Sequence, residues 1–417
     1  MLASVVLLYG LAAAGPVGVA CPSGATVARD GAALERLLAE GPEDIWVAGV
    51  VRGDFAARRT VRLHGCDSAV LEGTGKGTVL RLEADGVLVE DLALRKTGGR
   101  VSAEDGALKV SGKRAVVRRV AVSDALYGIA LEKCGECLLE DSVVTGRPEL
   151  EDNLRGDGVK LWEAHGSTVR RNRVEKVRDV VVWYSRHVTL EDNVITGGRY
   201  GTHFMYAHDS VVKNSTLTHN VVGVFVMYSA RMLVEGNVLA GARGPAGMGI
   251  GFKEADAVTL RNNRLVGNTV GTYLDYTPRD PNQPVLFEGN LFALNTVALR
   301  THSSERGATF RKNDFVENDG LLEVDGNGDA LAVNFENNHW SSYAGYDLDT
   351  DGVGDVAFLM RQPASELRDA HPALKYFRGT AAMGLYEAVA QALPFFGART
   401  LLEDQKPQVR PHTEVPR

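Results

Sequence analysis

Short apolar runs that end in Asn-containing turns recur along most of the chain. Between residues 160 and 340 an Asn follows such a run every 21 to 27 residues. A coil of about 22 residues can supply two or three short strands that stack on the next coil at about 4.8 Å. The repeat therefore predicts an all-β fold, a right-handed parallel β-helix. The recurring residues are Asn172, Asn193, Asn214, Asn237, Asn263, Asn290, Asn313 and Asn337.

The extent of this repeat predicts the domain boundaries. The same strand and turn pattern, without Asn, already occurs around residues 87–91, so we expect about a dozen coils over residues 60–345. Residues 21–59 are predicted to form an N-terminal cap. Within it the helical spacing of residues 31–40 predicts a helix that covers the edge of the first coil.

The C-terminal part departs from the repeat. Residues 346–402 combine an Asp-rich loop with an apolar helical stretch at 383–397. That stretch either caps the solenoid or docks on a membrane-embedded partner. Residues 403–417 are rich in Pro and charge, so a disordered tail is expected there.

The N-terminal segment and the cysteines indicate export. Residues 1–20 have the short apolar stretch of a signal peptide, although no Lys or Arg precedes it. In an oxidising compartment a Cys21–Cys66 disulfide is favoured, with lipoprotein processing at Cys21 as the alternative. Cys134 and Cys137 form a CxxC pair, which predicts a local disulfide or else a copper thiolate pair.

Charge and composition exclude some functions. The net charge is −7 and the two signs are interspersed, so no broad basic surface is available to bind nucleic acid. Polysaccharide-cleaving β-helices need clustered carboxylates on one sheet face. The middle coils carry Tyr, Met and Val there instead, and we therefore expect a binding protein rather than an enzyme.

Three consecutive coils in the middle of the repeat carry the densest candidate chemistry. Tyr184, Tyr206 and Tyr228 are 22 residues apart, which predicts a stacked ladder, and Met205 and Met227 have the same spacing on the opposite strand face. The ladder is structural in most β-helices. Thioether and imidazole ligands suit a soft metal, above all Cu(I) in transit, although methionine rows also serve as core filler. The copper candidates are His203, Met205, His208 and Met227.

The Asp-rich loop is a second candidate metal site. Its first six residues match the start of an EF-hand loop, but Phe358 stands where the motif needs a bidentate Glu. The pattern predicts either a structural Ca²⁺ or an acidic turn without metal. The candidate ligands are Asp347, Asp349, Asp351 and Asp355.

Several motifs in this order and at coil spacing resemble the NosD family of periplasmic copper-handling proteins, which support maturation of nitrous oxide reductase. They include the segments at 73–78, 127–131, 155–162, 178–185, 203–206, 226–229, 338–340 and 346–355. The residues that carry the resemblance most specifically are Arg155, Asp157, Trp162, Trp183, Tyr184, Tyr206 and Tyr228.

The resemblance implies a β-helix without hydrolase activity, located in the periplasm and held at the membrane through an ABC transporter. It implies a permease and an ATPase subunit, a copper chaperone lipoprotein and apo nitrous oxide reductase as partners, with 383–397 as the permease dock. The alternative is an extracytoplasmic carbohydrate-binding or carbohydrate-degrading β-helix, or a carrier of another metal. An outward strip of Met and His would favour the carrier, and a groove with acids and exposed aromatic rings would favour the glycan protein.

Overall fold

A computed structural model describes residues 16, 18–325, 328–361, 371–377, 380–392 and 400–413. The regular secondary structure of the described residues is nearly all β-strand, and contacts divide the chain into two units, residues 1–238 and 239–417. Strands of successive coils pair in parallel within each unit, which confirms the predicted right-handed parallel β-helix.

Each full coil of the first unit supplies three short strands, and one of them joins a sheet that we call the site sheet. Alternate side chains point into the coil, where Val182, Phe204 and Val226 are fully buried. The strands of the site sheet in this unit are Phe55–Ala57, Leu80–Glu83, Gly106–Ser111, Tyr127–Glu132, Val159–Trp162, Asp179–Trp183, Tyr200–Met205 and Val222–Met227.

The remaining strands of the first unit stack in parallel on the other sides of the coils. They are Val27–Ala28, Asp44–Arg52, Arg62–Glu72, Leu88–Glu90, Ala93–Arg95, Val116–Arg118, Ala121–Ser123, Leu138–Glu140, Val143–Thr145, Thr168–Arg170, Arg173–Glu175, Thr189–Glu191, Val194–Thr196, Val211–Lys213, Thr216–Thr218 and Leu233–Glu235, while Val238–Ala240 contains the unit boundary.

The second unit repeats this arrangement with a core of stacked phenylalanines, such as Phe287 and Phe310 at 4.1 Å between ring centroids. Its strands are Met248–Lys253, Thr259–Arg261, Arg264–Val266, Val270–Asp275, Val285–Glu288, Leu291–Ala293, Val297–Thr301, Ala308–Arg311, Asp314–Val316, Leu322–Val324, Asn334–Glu336 and His339–Trp340. A 3₁₀ helix spans Pro372–Phe377 and an α-helix spans Ala381–Ala392. Phe358–Arg361 pairs with Thr400–Asp404 in the antiparallel sense.

The recurring Asn residues hold two different positions. Asn172 is buried, and both its backbone N–H and its Nδ2 donate to Asn193 Oδ1 on the next coil, at 3.0 and 3.1 Å. Asn214 and Asn337 instead adopt left-handed backbone angles with φ of 50° and 56°. Because these two positions are adjacent in the chain, the spacing of the Asn residues alone does not distinguish them.

The N-terminal region agrees with the predicted helix but not with the predicted start of the coils. The α-helix spans Gly31–Glu40, capped by Asp30, whose Oδ1 accepts the Ala33 N–H at 2.8 Å. Parallel pairing already joins Asp44–Arg52 to Arg62–Glu72, so the stack begins before residue 60. The predicted signal segment lies almost wholly outside the described residues.

The C-terminal end differs from the expected disordered tail. Residues 403 and 404 belong to a strand, and the backbone N–H groups of His412 and Thr413 both donate to the Asp314 carboxylate at 2.8 Å. A buried carboxylate that accepts backbone hydrogen bonds orders this segment despite its polar composition. The predicted helix at 383–397 starts at Ala381, and its part beyond residue 392 lies outside the described residues.

The structure joins the cysteines as Cys21–Cys66 and Cys134–Cys137, the two pairs expected from the sequence. Both sulfur atoms of the CxxC pair belong to buried residues. Within the described ranges, no helix has the length and apolar character needed to span a membrane.

Candidate functional site

The outer face of the site sheet in the first unit carries a row of aromatic and thioether side chains. Trp162, Trp183, Met205 and Met227 occupy the same register position on four successive strands. All four are half-buried, whereas Phe204 beside Met205 is fully buried. Strand alternation therefore turns Met205 and Met227 outward, a question that the sequence left open.

His203 lies on the same outward face, two residues before Met205. Its Nε2 is 3.3 Å from the Met227 sulfur. Its Nδ1 is buried and has no hydrogen-bond partner among the described residues. We call His203, Met205 and Met227 the soft-donor strip.

Aromatic rings surround the His203 imidazole. The centroids of Tyr200, Trp183 and Phe225 lie 4.9, 5.5 and 6.1 Å from that of the imidazole, and His203 is only 7% exposed. Burial among these rings lowers the pKa of His203 to about 4, with the Arg199 and Arg178 charges acting in the same direction and Asp179 opposing them. The imidazole is therefore neutral at neutral pH, the state in which it can ligate a metal.

The tyrosines form the expected ladder, but not on the expected face. Ring centroids are 5.3 Å apart between Tyr184 and Tyr206 and 5.1 Å apart between Tyr206 and Tyr228, with the rings nearly parallel. Each residue has a φ near +50°, so it stands in the turn after its strand and strand alternation no longer applies. The prediction that they lie on the face opposite the methionines was therefore wrong.

His208 occupies a different environment from the rest of the predicted copper ligands. It follows the Tyr206 turn, and its Nδ1 accepts the Ala230 N–H at 3.1 Å. A neutral imidazole that accepts at Nδ1 carries its hydrogen on Nε2, which leaves no lone pair for a metal. This hydrogen bond argues against His208 as a ligand in this conformation.

The remaining motif residues build the supporting structure of this unit. Arg155 donates to the carbonyl oxygens of Arg147 and Gly197 at 3.3 and 3.2 Å. Asp157 is 3% exposed and accepts from Arg178 Nε at 3.0 Å, while burial raises the pKa of Asp157 to about 6. These contacts tie loops to coils and place no carboxylate in the outward row.

The Asp-rich loop of the second unit gathers three of its four predicted ligands. One carboxylate oxygen from each of Asp347, Asp349 and Asp351 lies within 4.8 Å of the others. Asp347 Oδ1 is buried without a hydrogen-bond partner, while its Oδ2 accepts the Gly352 N–H at 3.0 Å. Asp355 instead accepts the Leu348 N–H at 2.7 Å.

The 22-residue spacing could have identified two further residues beside the candidate groups. Phe225 lies 22 residues after His203 and is its register partner. His165 lies 21 residues before Arg186 and accepts that residue's backbone N–H. Tyr200 had no such signal, because its contact with His203 depends on side-chain packing within one strand.

The chain is similar to a known family over about half its length. Residues 142–346 match the family model described as "Periplasmic copper-binding protein (NosD)". A "Probable ABC transporter binding protein NosD" of Pseudomonas aeruginosa is 27% identical over 83% of each chain. The protein of the same description from Stutzerimonas stutzeri is 24% identical over 88% of this chain and 86% of its own. These matches confirm the resemblance inferred from the motifs.

Solved structures with a similar backbone include carbohydrate-active proteins. An alginate lyase from Paenibacillus sp. str. FPU-7 covers 74% of this chain and 99% of its own with a TM-score of 0.44 and 15% identity. The mannuronan C-5 epimerase AlgE4 A-module of Azotobacter vinelandii covers 78% and 92% with a TM-score of 0.41 and 13% identity. Likeness at this level carries no conclusion about activity.

Proposed function

We propose that this chain, which resembles the NosD family over residues 142–346, is a non-catalytic periplasmic accessory protein of an ABC transporter and carries copper as Cu(I). Copper is its cargo, held at the soft-donor strip. The donor is a copper chaperone lipoprotein and the acceptor is nitrous oxide reductase. ATP hydrolysis belongs to the transporter's ATPase subunit.

The observation that carries this proposal is the pairing of His203 Nε2 with the Met227 sulfur at 3.3 Å. An ion held about 2.0 Å from an imidazole nitrogen and about 2.3 Å from a sulfur, as Zn²⁺ is, spans a separation of about 3.3 Å at a bond angle of about 100°. The two donors are thus already at a separation that a shared metal can bridge. Met205 is the register neighbour of Met227 and supplies the third donor.

The charge of the donor set favours a monovalent soft ion. Two thioethers and a neutral imidazole bring no negative charge, and the surrounding rings exclude water from His203. Because the cost of taking an ion out of water grows with the square of its charge, a divalent ion loses about four times as much there as Cu(I). Thioether sulfur also selects soft metals over hard ones.

The strip also suits transfer between proteins. Met205 and Met227 are half-buried rather than enclosed, so a partner protein can reach the metal from outside. In the second unit, the helix Ala381–Ala392 leaves Leu385 and Val389, four residues apart, 67% and 43% exposed. We assign this apolar pair to docking on the transporter permease.

A glycan-binding function is less well supported. Sugar rings stack on the open faces of aromatic side chains, but the Tyr184, Tyr206 and Tyr228 rings cover one another's faces. The outward positions of Trp162, Trp183, Met205 and Met227 carry no acid that could protonate a glycosidic bond. Glu132, at the same register position on the preceding strand, is held in an ion pair with Lys160 at 3.3 Å.

The test is an anaerobic Cu(I) titration of the purified protein against a competing chelator. We compare the wild type with a Met205→Ala, Met227→Ala double variant and with Met248→Ala, a half-buried methionine outside the strip. Saturable binding that is lost only in the double variant supports the proposal. Binding that survives in the double variant, or no binding to the wild type, would overturn direct copper carriage.

We also propose that the Asp-rich loop of the second unit, called the acid loop below, holds a structural Ca²⁺. Its support is the buried Asp347 Oδ1 without a partner, next to carboxylate oxygens of Asp349 and Asp351. Oxygen ligands at alternate positions of a loop suit a hard cation. Asp355 contributes through its hydrogen bond to the loop backbone rather than as a ligand.

A further inference from the structure

A column of basic side chains crosses three consecutive coils of the first unit, just beyond the tyrosine ladder. Arg186 pairs in parallel with His208 on the next coil. On the preceding coil, His165 Nδ1 accepts the Arg186 backbone N–H at 3.1 Å. His165, Arg186 and His208 therefore occupy equivalent positions one coil apart.

Several other arginines of the unit pair with a carboxylate one coil away. Arg171 Nε donates to Asp141 at 2.8 Å one coil away, and Arg231 donates to Asp209 in the same manner. Arg186 is exposed, and no carboxylate of the described residues forms an ion pair with it. A bound anion would supply the charged partner that Arg186 lacks among the described residues.

Hydrogen positions in the column suit an anion and not a metal. His165 Nδ1 accepts the Arg186 N–H, and His208 Nδ1 accepts the Ala230 N–H at 3.1 Å. In a neutral ring the hydrogen then resides on Nε2, so that each ring can donate at that atom but cannot ligate a metal there. The column is therefore chemically distinct from the soft-donor strip.

The column forms one wall of a groove of about 550 Å³. Every side chain of the lining can donate a hydrogen bond and none is a carboxylate. The nearest acid along the chain, Asp209, is held by both bonds from Arg231. The lining residues are His165, Tyr184, Arg186, His187, Tyr206 and His208.

We propose that this groove is an oxyanion-binding site whose ligand presents carboxylates, with the Arg186 guanidinium as the main contact. The planar fork of a guanidinium matches a carboxylate with two parallel hydrogen bonds. His165 donates from its Nε2 beside it. The source of the carboxylate is an acidic protein segment or a free small dicarboxylate, and the two are separated by experiment.

The test measures binding of an acetylated, amidated tetraglutamate peptide and of free glutarate to the full chain by calorimetry at low salt. We compare the wild type with Arg186→Gln and with Arg81→Gln, an exposed arginine of the site sheet outside the groove. We expect the Kd for the bound ligand to rise about tenfold in Arg186→Gln and to stay unchanged in Arg81→Gln.

The outcomes separate the sources. Binding of the peptide alone identifies an acidic protein segment, and equal binding of glutarate identifies a small carboxylate. No binding of either, or equal weakening by Arg186→Gln and Arg81→Gln, would overturn the proposal, because a non-specific charge effect does not distinguish the two arginines. Inorganic phosphate that binds tighter than both would overturn the carboxylate assignment. Circular dichroism checks that the variants fold.

Discussion

The soft-donor strip of the first unit and the acid loop of the second gather candidate metal ligands by opposite means. In the strip, strand register places Met205 beside Met227, and aromatic rings keep the neutral His203 nearly dry. In the acid loop, Asp349 and Asp351 are exposed and the chain's own turn brings their oxygens together. A rigid sheet thus suits neutral donors that tolerate burial, whereas charged donors need a solvated turn.

Removing the His203 imidazole tests the soft-donor strip most directly. We expect His203→Ala to weaken Cu(I) binding by more than about 100-fold, since it deletes the nitrogen donor of the strip. Silver(I), which does not change oxidation state, should follow the same loss in a competition titration. His165→Ala, a histidine outside the strip, is the matched control. A copper affinity that is equal in both variants would place the site elsewhere.

The next largest effect is the stabilisation of the folded state by Ca²⁺, which we expect to depend on the acid loop alone. If Ca²⁺ binds there, an excess of about 100-fold over its Kd stabilises the folded state by about 2.7 kcal/mol. We expect a rise of several degrees in Tm that the Asp349→Asn, Asp351→Asn double variant abolishes. Asp319→Asn changes an exposed acid of the same unit and should keep the shift. A shift that the double variant retains would contradict a site at this loop.

Glu305 in the second unit shows what burial does to an acid whose partners are backbone N–H groups. It is 4% exposed and accepts the backbone N–H groups of Tyr276 and Thr277, and burial raises its pKa to about 7. These bonds and the neighbouring His302 lower the pKa of Glu305, while Asp275 adds to the rise.

The sign of the pH effect follows from the raised pKa. Between about pH 4.5 and pH 7 the folded state binds more protons than the unfolded state, so the contribution of Glu305 to stability falls as the pH rises through this window. We expect this loss to be on the order of 1–3 kcal/mol. Glu305→Gln should remove it in denaturant unfolding at pH 5 and pH 8. Glu317→Gln, an exposed acid, should retain the wild-type pH dependence, and its loss there would contradict the assignment.

The smallest expected effect is an absence of pH dependence at the strip. Because the pKa of His203 is about 4, the imidazole stays neutral from pH 7.5 to pH 5.5. Cu(I) affinity should change by less than about twofold over this range, whereas a histidine with a pKa near 6.5 would lose about tenfold. A tenfold loss in the chelator competition would contradict a desolvated ligand.

The architecture could be predicted from the sequence because each coil repeats the same pattern of apolar and turn residues. Apolar residues at alternate positions and turn residues about 22 apart admit few folds other than a solenoid. The repeat also identified His203, Met205 and Met227 as neighbours, since 22 residues is one coil. It could not assign faces near the strand ends. A single left-handed residue such as Tyr206 moves a side chain out of the strand alternation.

Features that depend on hydrogen-bond detail could not be predicted. The different roles of His203 and His208 depend on which ring nitrogen meets a backbone N–H, and no spacing encodes that. The ordered segment at His412 likewise depends on Asp314, almost a hundred residues earlier.

The buried asparagine row of the second unit has a direction. Each side-chain oxygen accepts from the preceding coil, so that Asn290 donates to Asn313 and Asn313 donates to Asn338. Each amide also donates its other hydrogen to a backbone carbonyl of the preceding coil, as Asn313 Nδ2 does to Phe287 O at 2.9 Å. The row needs a last member that only accepts, because another amide would bury an N–H group without an acceptor. Asp404 fills that place, where its Oδ2 accepts from Asn338 Nδ2 and from Trp340 Nε1. The row therefore has a fixed terminus, and extending this unit by another coil would require replacing that carboxylate with an amide.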